Sequence, residues 1–311
     1  NSHDMRHFSL PKDGGLLEDK VPQEILHSYE KIVTDIYDLQ SSASEKVADV
    51  IAAAVNGFDA AGEGRLFKLG LTTGKTPISL YKSLVSKFEE GSVSFKNVEV
   101  YSIDEYYPVR SDEMQSRNYK LHKEFLDLID IDKRNIHIPD GTVDASALSD
   151  YCAEYDRKAS GMDILVIGIG EKGQVGFNES GASGHSRTRA VLLTYQARKR
   201  QAENFNGDID ITPNMAITMG IGTMMSAKQV ILMAFGEGKA DVVKNMVEVK
   251  SNNSCPASIF QHHRNVRLYV DETAACLLTR VVAPWRIGPC EWTPKFRRKA
   301  VISASRSASL S

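Results

Sequence analysis

The chain has 311 residues, 42% of them hydrophobic and 25% charged, a composition that buries a sizeable core and excludes a disordered or collagen-like polymer. Its 38 Lys and Arg against 40 Asp and Glu leave a formal net charge of −2, so no overall basic field serves nucleic acid, and any anion must be held locally. It has no run of about 18 apolar residues, and its start, NSHDMRHFSLPKDGG, lacks the apolar core of a signal peptide; this predicts a cytoplasmic protein without a membrane partner.

In chain order, residues 1–40 are read as an N-terminal segment whose start can include an expression remnant. From Ser42, the stretch SSASEKVADVIAAAVNGF places Val47, Val50, Ile51, Ala54, Val55 and Phe58 on one helical face, with Ser42 and Glu45 at capping-box spacing. A short apolar run, 66–71, leads into TTGKTP and then into Tyr81, Leu84, Val85 and Phe88 at helical spacing. Further strands are predicted at 98–103, 163–170, 229–236 and 266–271. The last two precede the helical patterns KADVVKNMV and ETAACLLTRVV.

Strands alternating with helices imply an α/β fold with a doubly wound, mainly parallel sheet and helices on both faces, Rossmann-like in plan. The chain shows no internal repeat and no long linker before residue 280, so 40–300 is expected to be a single domain. Residues 301–311 form a Ser-rich tail that cannot bury a core and is expected to be mobile. Cys152, Cys255, Cys276 and Cys290 are scattered without a CxxC pair, which predicts core filler and neither a zinc ribbon nor a disulfide framework.

In an open parallel sheet, ligands bind beyond the carboxyl ends of the strands, and four polar segments follow predicted strands. Thr72, Thr73, Gly74, Lys75 and Thr76, before Pro77, bring backbone N–H groups and a helix start to an anion, with Thr76 as cap and Pro77 in first helical position; a plain strand-to-helix turn would show the same residues. Asp104, after VEVYSI, offers a carboxylate to take a proton from a carbon next to a carbonyl or imine, or else caps a helix or turn. The loop from Gly168 to Glu179 supplies glycines for close approach, Gly170 among them, and a second carboxylate. Lys239 opens a helix, where its ammonium can hold phosphate or stand in solvent. Together these types fit a small sugar phosphate: anion grips plus two carboxylates for proton transfer.

The stretches LGLTTGKTPISLYKSL, SIDEYYPV, SRNYKLHKEFLDLIDID, GFNESGASGHSRTRAVLLT, NMAITMGIGTMMSA and FGEGKA cover most of residues 40–280. In that order they resemble the glucosamine-6-phosphate deaminase (isomerase) family, which shares its fold with 6-phosphogluconolactonases. The end, LLTRVVAPWRIGPCEWTPKFRRKAV, is similar to the variant in which this module precedes a deacetylase-like domain.

The resemblance implies ring opening of an amino-sugar phosphate, proton transfer between C2 and C1, and loss of ammonia. It makes Asp104 the shuttling base, Glu179 the supporting carboxylate, Thr73 to Thr76 the phosphate loop and Lys239 a phosphate ligand. It also exposes departures. Lys172 stands where the family has Asp or Thr, Gln174 where it has the ring-opening His, and Ser180 where it has Pro. Gln does not titrate near neutral pH, so an alternative is a catalytically impaired sugar-phosphate-binding or regulatory module. Glu203 falls where a lid Arg would grip phosphate, with Arg198 and Arg200 nearby as substitutes.

His185 is a conceivable stand-in for the missing His. His262-His263 lacks a third ligand and predicts no metal, and no cofactor is expected. Arg189 matches a position near the effector site of regulated members. The resemblance further implies a homo-oligomer.

Overall fold

The computed structural model describes residues 14–309; the first thirteen residues, where a remnant is expected, and the last two lie outside the described residues. Its strands are β1 (Val33–Tyr37), β2 (Phe67–Leu71), β3 (Val98–Ser102), β4 (Asp104–Tyr107), β5 (Ile136–His137), β6 (Ile164–Gly168), β7 (Arg189–Leu192), β8 (Met215–Thr218), β9 (Gln229–Ala234) and β10 (Val266–Asp271). Seven form one parallel sheet in the order β1-β10-β9-β6-β2-β3-β5, and β4-β8-β7 form a small antiparallel sheet. From β2 the chain steps outward through β3 to β5; from β6 it steps the other way through β9 to β10. The neighbours β2 and β6 thus mark the point where the winding reverses, and a crevice opens beyond their carboxyl ends.

The central strands read as continuous apolar runs because they are buried on both faces. Period-two alternation divides them between two cores. On one face Phe67, Leu69 and Leu71 of β2, Ile164 and Val166 of β6, and Ile231 and Met233 of β9 meet Val47 and Ile51 of the Gln40–Asn56 helix and Leu80 and Leu84 of the Ile78–Glu89 helix. On the other, Leu165, Ile167, Val230, Leu232, Leu268 and Val270 meet Tyr155 of the Leu148–Ala159 helix and Val243 and Met246 of the Ala240–Glu248 helix. Gly70 sits on this second face because a Cβ there would lie 2.5 Å from both Leu165 Cδ1 and Met162 Sδ.

Several local expectations are corrected. The first long helix starts at Gln40, two positions before Ser42, and no side chain caps it; the Asp38 carboxylate instead accepts from the Leu39 N–H at 2.8 Å. Thr76 caps nothing, since the next helix begins at Ile78 behind Pro77, itself helical in backbone. The ETAACLLTRVV pattern yields hydrogen-bonded turns and only the short Thr279–Val282 helix. There the Asp271 carboxylate takes the N–H groups of Gly236 and Ala274 and turns the chain, while Ala274, Ala275 and Leu278 are still buried.

The sheet also begins before residue 40, because β1 pairs with β10. The expected tail is helical over Pro294–Ala308: the Thr293 side chain accepts from the Phe296 N–H at 3.2 Å, Pro294 occupies a first-turn position, and Phe296 is the residue the helix buries. No helix among the described residues is long and apolar enough to cross a membrane.

Candidate active site

Asp104 follows β3 after a single residue, Ile103, whose N–H is held by the Leu71 carbonyl at the end of β2 at 3.0 Å. Asp104 opens β4, opposite Thr218 of β8, which in turn lies opposite Arg189 of β7. Its carboxylate is buried, with Oδ1 3.5 Å from Nε of the equally buried Arg117, and neither atom completes a hydrogen bond. Burial pushes the Asp104 pKa up and the Arg117 charge opposes that rise. The next residue, Glu105, performs the capping role that sequence left open for Asp104: its carboxylate accepts from the N–H groups of Tyr106, Arg117 and Asn118 at 2.8–2.9 Å. Burial nevertheless raises its pKa to about 7.

The loop after β6 closes on Asp104 from the other side. Gly176 has φ of +58°, and a Cβ there would stand 2.9 Å from Thr218 Oγ1 and 3.7 Å from Asp104 Oδ2, so only glycine brings the loop this near. Thr218 Oγ1 accepts from the Phe177 N–H at 3.2 Å. The buried Asn178 amide donates to the Val175 and Met219 carbonyls, and its oxygen accepts from Arg189 at 3.0 Å. From below, Ala257 N–H bonds the Gly173 carbonyl and Gly181 N–H the Asn253 carbonyl.

Glu179 ends this loop and meets Nη2 of Arg200 at 2.6 Å, on the Tyr195–Gln201 helix. No ion pair among the described residues joins exposed Lys172 to Glu179. Gln174 Oε1 accepts from the Lys172 N–H at 3.0 Å, and its amide group occupies the space a Cβ on Gly170 would need, 2.1–2.5 Å away. The side chain is therefore folded onto its own loop.

Beyond β2, Thr72 is buried with its carbonyl bonded by the Tyr81 hydroxyl, and Thr73 Oγ1 is buried without a hydrogen-bond partner. Gly74 has φ of +115°. Thr76 reaches across to β6, with Cβ 3.5 Å from where a Cβ on Gly168 would be. Lys75 projects into solvent and meets Glu203 at 3.4 Å. Lys239 donates to the Ile169 carbonyl at 2.8 Å, and burial lowers its pKa.

The structure thus brings Thr76, Gly168, Lys239 and the Gly170–Glu179 loop to the β2/β6 crevice, and joins that loop to Asp104. Arg198, offered as a substitute grip, instead ties the Ile209 and Thr212 carbonyls. His185 is exposed, and His263 is buried between the Ala227 carbonyl and the Asn265 N–H. Among the described residues no group of three or more His, Cys, Asp or Glu is placed to hold a metal.

Sequence reasoning missed Arg117. Its one signal was a cation in the first turn of a helix, where the dipole disfavours it, so its charge needed a partner elsewhere.

The model of the family described as glucosamine-6-phosphate isomerases/6-phosphogluconolactonase matches residues 37–270. A glucosamine-6-phosphate deaminase-like protein of Bacteroides thetaiotaomicron is 37% identical over 288 residues, 92% of this chain and 43% of that one; the chain thus spans under half of that relative's length. A glucosamine-6-phosphate deaminase of Shewanella woodyi is 42% identical over 214 residues, 68% of this chain and 80% of the relative. The solved structure of a monomeric glucosamine-6-phosphate deaminase superposes with a TM-score of 0.73 at 31% identity, covering 79% of this chain and all of the other. The chain belongs to the glucosamine-6-phosphate isomerase/6-phosphogluconolactonase family.

Proposed function

We propose that the crevice binds an amino-sugar phosphate, glucosamine 6-phosphate, and converts it to a ketose phosphate with release of ammonia. The observation that carries this reading is a buried carboxylate, Asp104, placed against the glycine loop that leads to Glu179, beside the β2 and β6 strand ends where Thr76 and Lys239 lie. In the open-chain sugar Asp104 takes the proton from the carbon bearing the amine and returns it to the neighbouring carbon. The amine-bearing carbon is then at the imine level, and water hydrolyses it to the ketose and ammonia. Thr72, Thr73, Gly74, Lys75 and Thr76 hold the phosphate with Lys239, Gly170 gives room to the folded Gln174 side chain, and Glu179 supports the chemistry near the amine. The ligand is thus a small molecule in the cytoplasm and not nucleic acid. Assembly of like subunits rests on the resemblance alone, and the solved relative above is monomeric.

A second reading, binding without turnover, is favoured by Gln174, which is folded over Gly170 and cannot move a proton in ring opening. Loss of a general acid–base group costs about 10²- to 10⁴-fold in rate. A coupled ammonia assay on the natural chain, Asp104→Asn and the double variant Gln174→His/Lys172→Thr decides between them. Turnover by the natural chain, abolished in Asp104→Asn, is expected from the first reading. Turnover by the double variant alone establishes the second, and no turnover by any form with no calorimetric heat from hexosamine phosphates sinks both.

A further inference from the structure

The dipeptide Asp104-Glu105 grips residue 117 at both ends: Glu105 accepts from the Arg117 N–H at 2.8 Å, and Asp104 faces the guanidinium at 3.5 Å. That guanidinium is wedged among three segments. Its Cζ stands 4.7 Å from the Tyr106 ring centroid on β4 and 5.5 Å from that of Phe177 on the glycine loop. Its Nη2 donates to Gln201 Oε1 at 3.3 Å, at the end of the Tyr195–Gln201 helix whose Arg200 holds Glu179. Gln201 Oε1 also receives the Tyr106 hydroxyl. A buried cation with this many constraints is costly unless it serves as counter-charge.

We propose that Arg117 is a positioning residue for Asp104: it supplies the counter-charge of the buried carboxylate and fixes it against the Phe177 loop and the Tyr195–Gln201 helix. The inference rests on the reading of Asp104 as the base and adds what keeps that base usable. A carboxylate removed from water binds a proton too readily to accept another. The groups that face it from the surrounding elements are the phenols Tyr81, Tyr106 and Tyr155, which add no positive charge, and the guanidinium of Arg117. Glu105 and Glu124 face Arg117 in turn and hold it charged.

The test labels the protein with aspartate carrying ¹³C at Cγ, assigns Asp104 through Asp104→Asn, and follows its carboxyl resonance against pH in the natural chain, Arg117→Met and Arg117→Gln. This readout needs no substrate. Both neutral variants are expected to raise the Asp104 midpoint by about one to three pH units, and Arg117→Lys, which keeps the charge but not the planar stack, by less. An unchanged midpoint in either neutral variant, folded by circular dichroism, overturns the proposal. Should neither fold, the Arg117 ¹⁵Nε–¹Hε resonance of the natural chain is followed instead, and a resonance that does not move as Asp104 titrates overturns the proposal. The ammonia assay across pH is run in parallel. A shifted midpoint without turnover in the natural chain upholds the positioning role and removes the deaminase reading, whereas turnover with no shift does the reverse.

Discussion

At the scale of single residues, charge decides how the crevice treats an anion. Lys75 and Glu203 are 93% and 76% exposed in their side chains, so their pair contributes little to stability. Its consequence lies in binding if the Thr72–Thr76 loop holds phosphate as proposed, because Glu203 then offsets the Lys75 charge and adds a carboxylate beside that loop. Two unit charges about 4 Å apart in water interact by about 1 kcal/mol, which corresponds to about fivefold in affinity. Glu203→Gln is therefore expected to tighten glucosamine 6-phosphate binding several-fold in low salt, with the gain shrinking as salt rises and the melting temperature unmoved. Equal affinities by titration calorimetry at low salt would remove Glu203 from the binding site.

The same scale shows what sequence could reveal. Asp104, Thr76, Lys239 and Glu179 were legible because each follows a strand whose apolar run was visible. Arg117 was not, since its partner lies across a sheet boundary that no local pattern marks. The pose of Gln174 was equally hidden, because it depends on the absence of a side chain at Gly170.

At the scale of elements, legibility followed burial. β2, β3, β6, β9 and β10 carry apolar runs because both faces are covered, and each was placed within a residue or two. β1 and β5 lie at the sheet's two edges, β5 has only two residues, and β1 carries Thr34 and Asp35; neither leaves a run to read. β4, β7 and β8 are short strands of a separate sheet whose cores are small.

The C-terminal helix misled for the opposite reason. Its sequence is polar because it buries one residue, Phe296, against Trp285, with ring centroids 5.7 Å apart, while the Thr293 cap and Ser305 and Ser307 hydroxyls bonded back to carbonyls serve its backbone. Such an element has little to hold it. Its amides beyond residue 298 are expected to exchange orders of magnitude faster than those of the Gln40–Asn56 helix, and Phe296→Ala should abolish their protection while the global unfolding transition stays in place. Protection equal to that of the buried helix would show that it is integrated with the core.

At the scale of the whole molecule, the two ends of the described chain are tied to each other and to the sheet. Leu17 N–H bonds the Pro289 carbonyl, Glu291 N–H bonds the Gly15 carbonyl, both at 2.9 Å, and Leu16, Val21 and Ile287 share a small core. Beneath them the buried Arg280 binds Glu18, the Thr34 carbonyl of β1 and Glu30, whose Oε2 lies 2.9 Å from its Nε. Burial is the largest influence on Glu30 and raises its pKa to about 7, with Glu18, Glu248 and Asp35 adding to the rise and Arg280 opposing it.

A carboxyl whose folded pKa exceeds its unfolded value near 4.5 makes the folded state the better proton binder. Its contribution is then fully present below about 4.5 and is lost as pH rises through about 7. A tenfold difference in proton affinity between the folded and unfolded chains corresponds to about 1.4 kcal/mol. Urea unfolding followed at several pH values should show stability falling across this window, and Glu30→Gln should flatten a large part of the slope. Glu105, raised in the same direction to about 7, contributes to the slope that remains, together with Asp104 and Glu124, which burial also raises. A Glu30→Gln protein that keeps the full pH slope of the natural chain would mean that Glu30 ionises as freely in the folded chain as in the unfolded one, and that Arg280 and the surrounding water offset its burial.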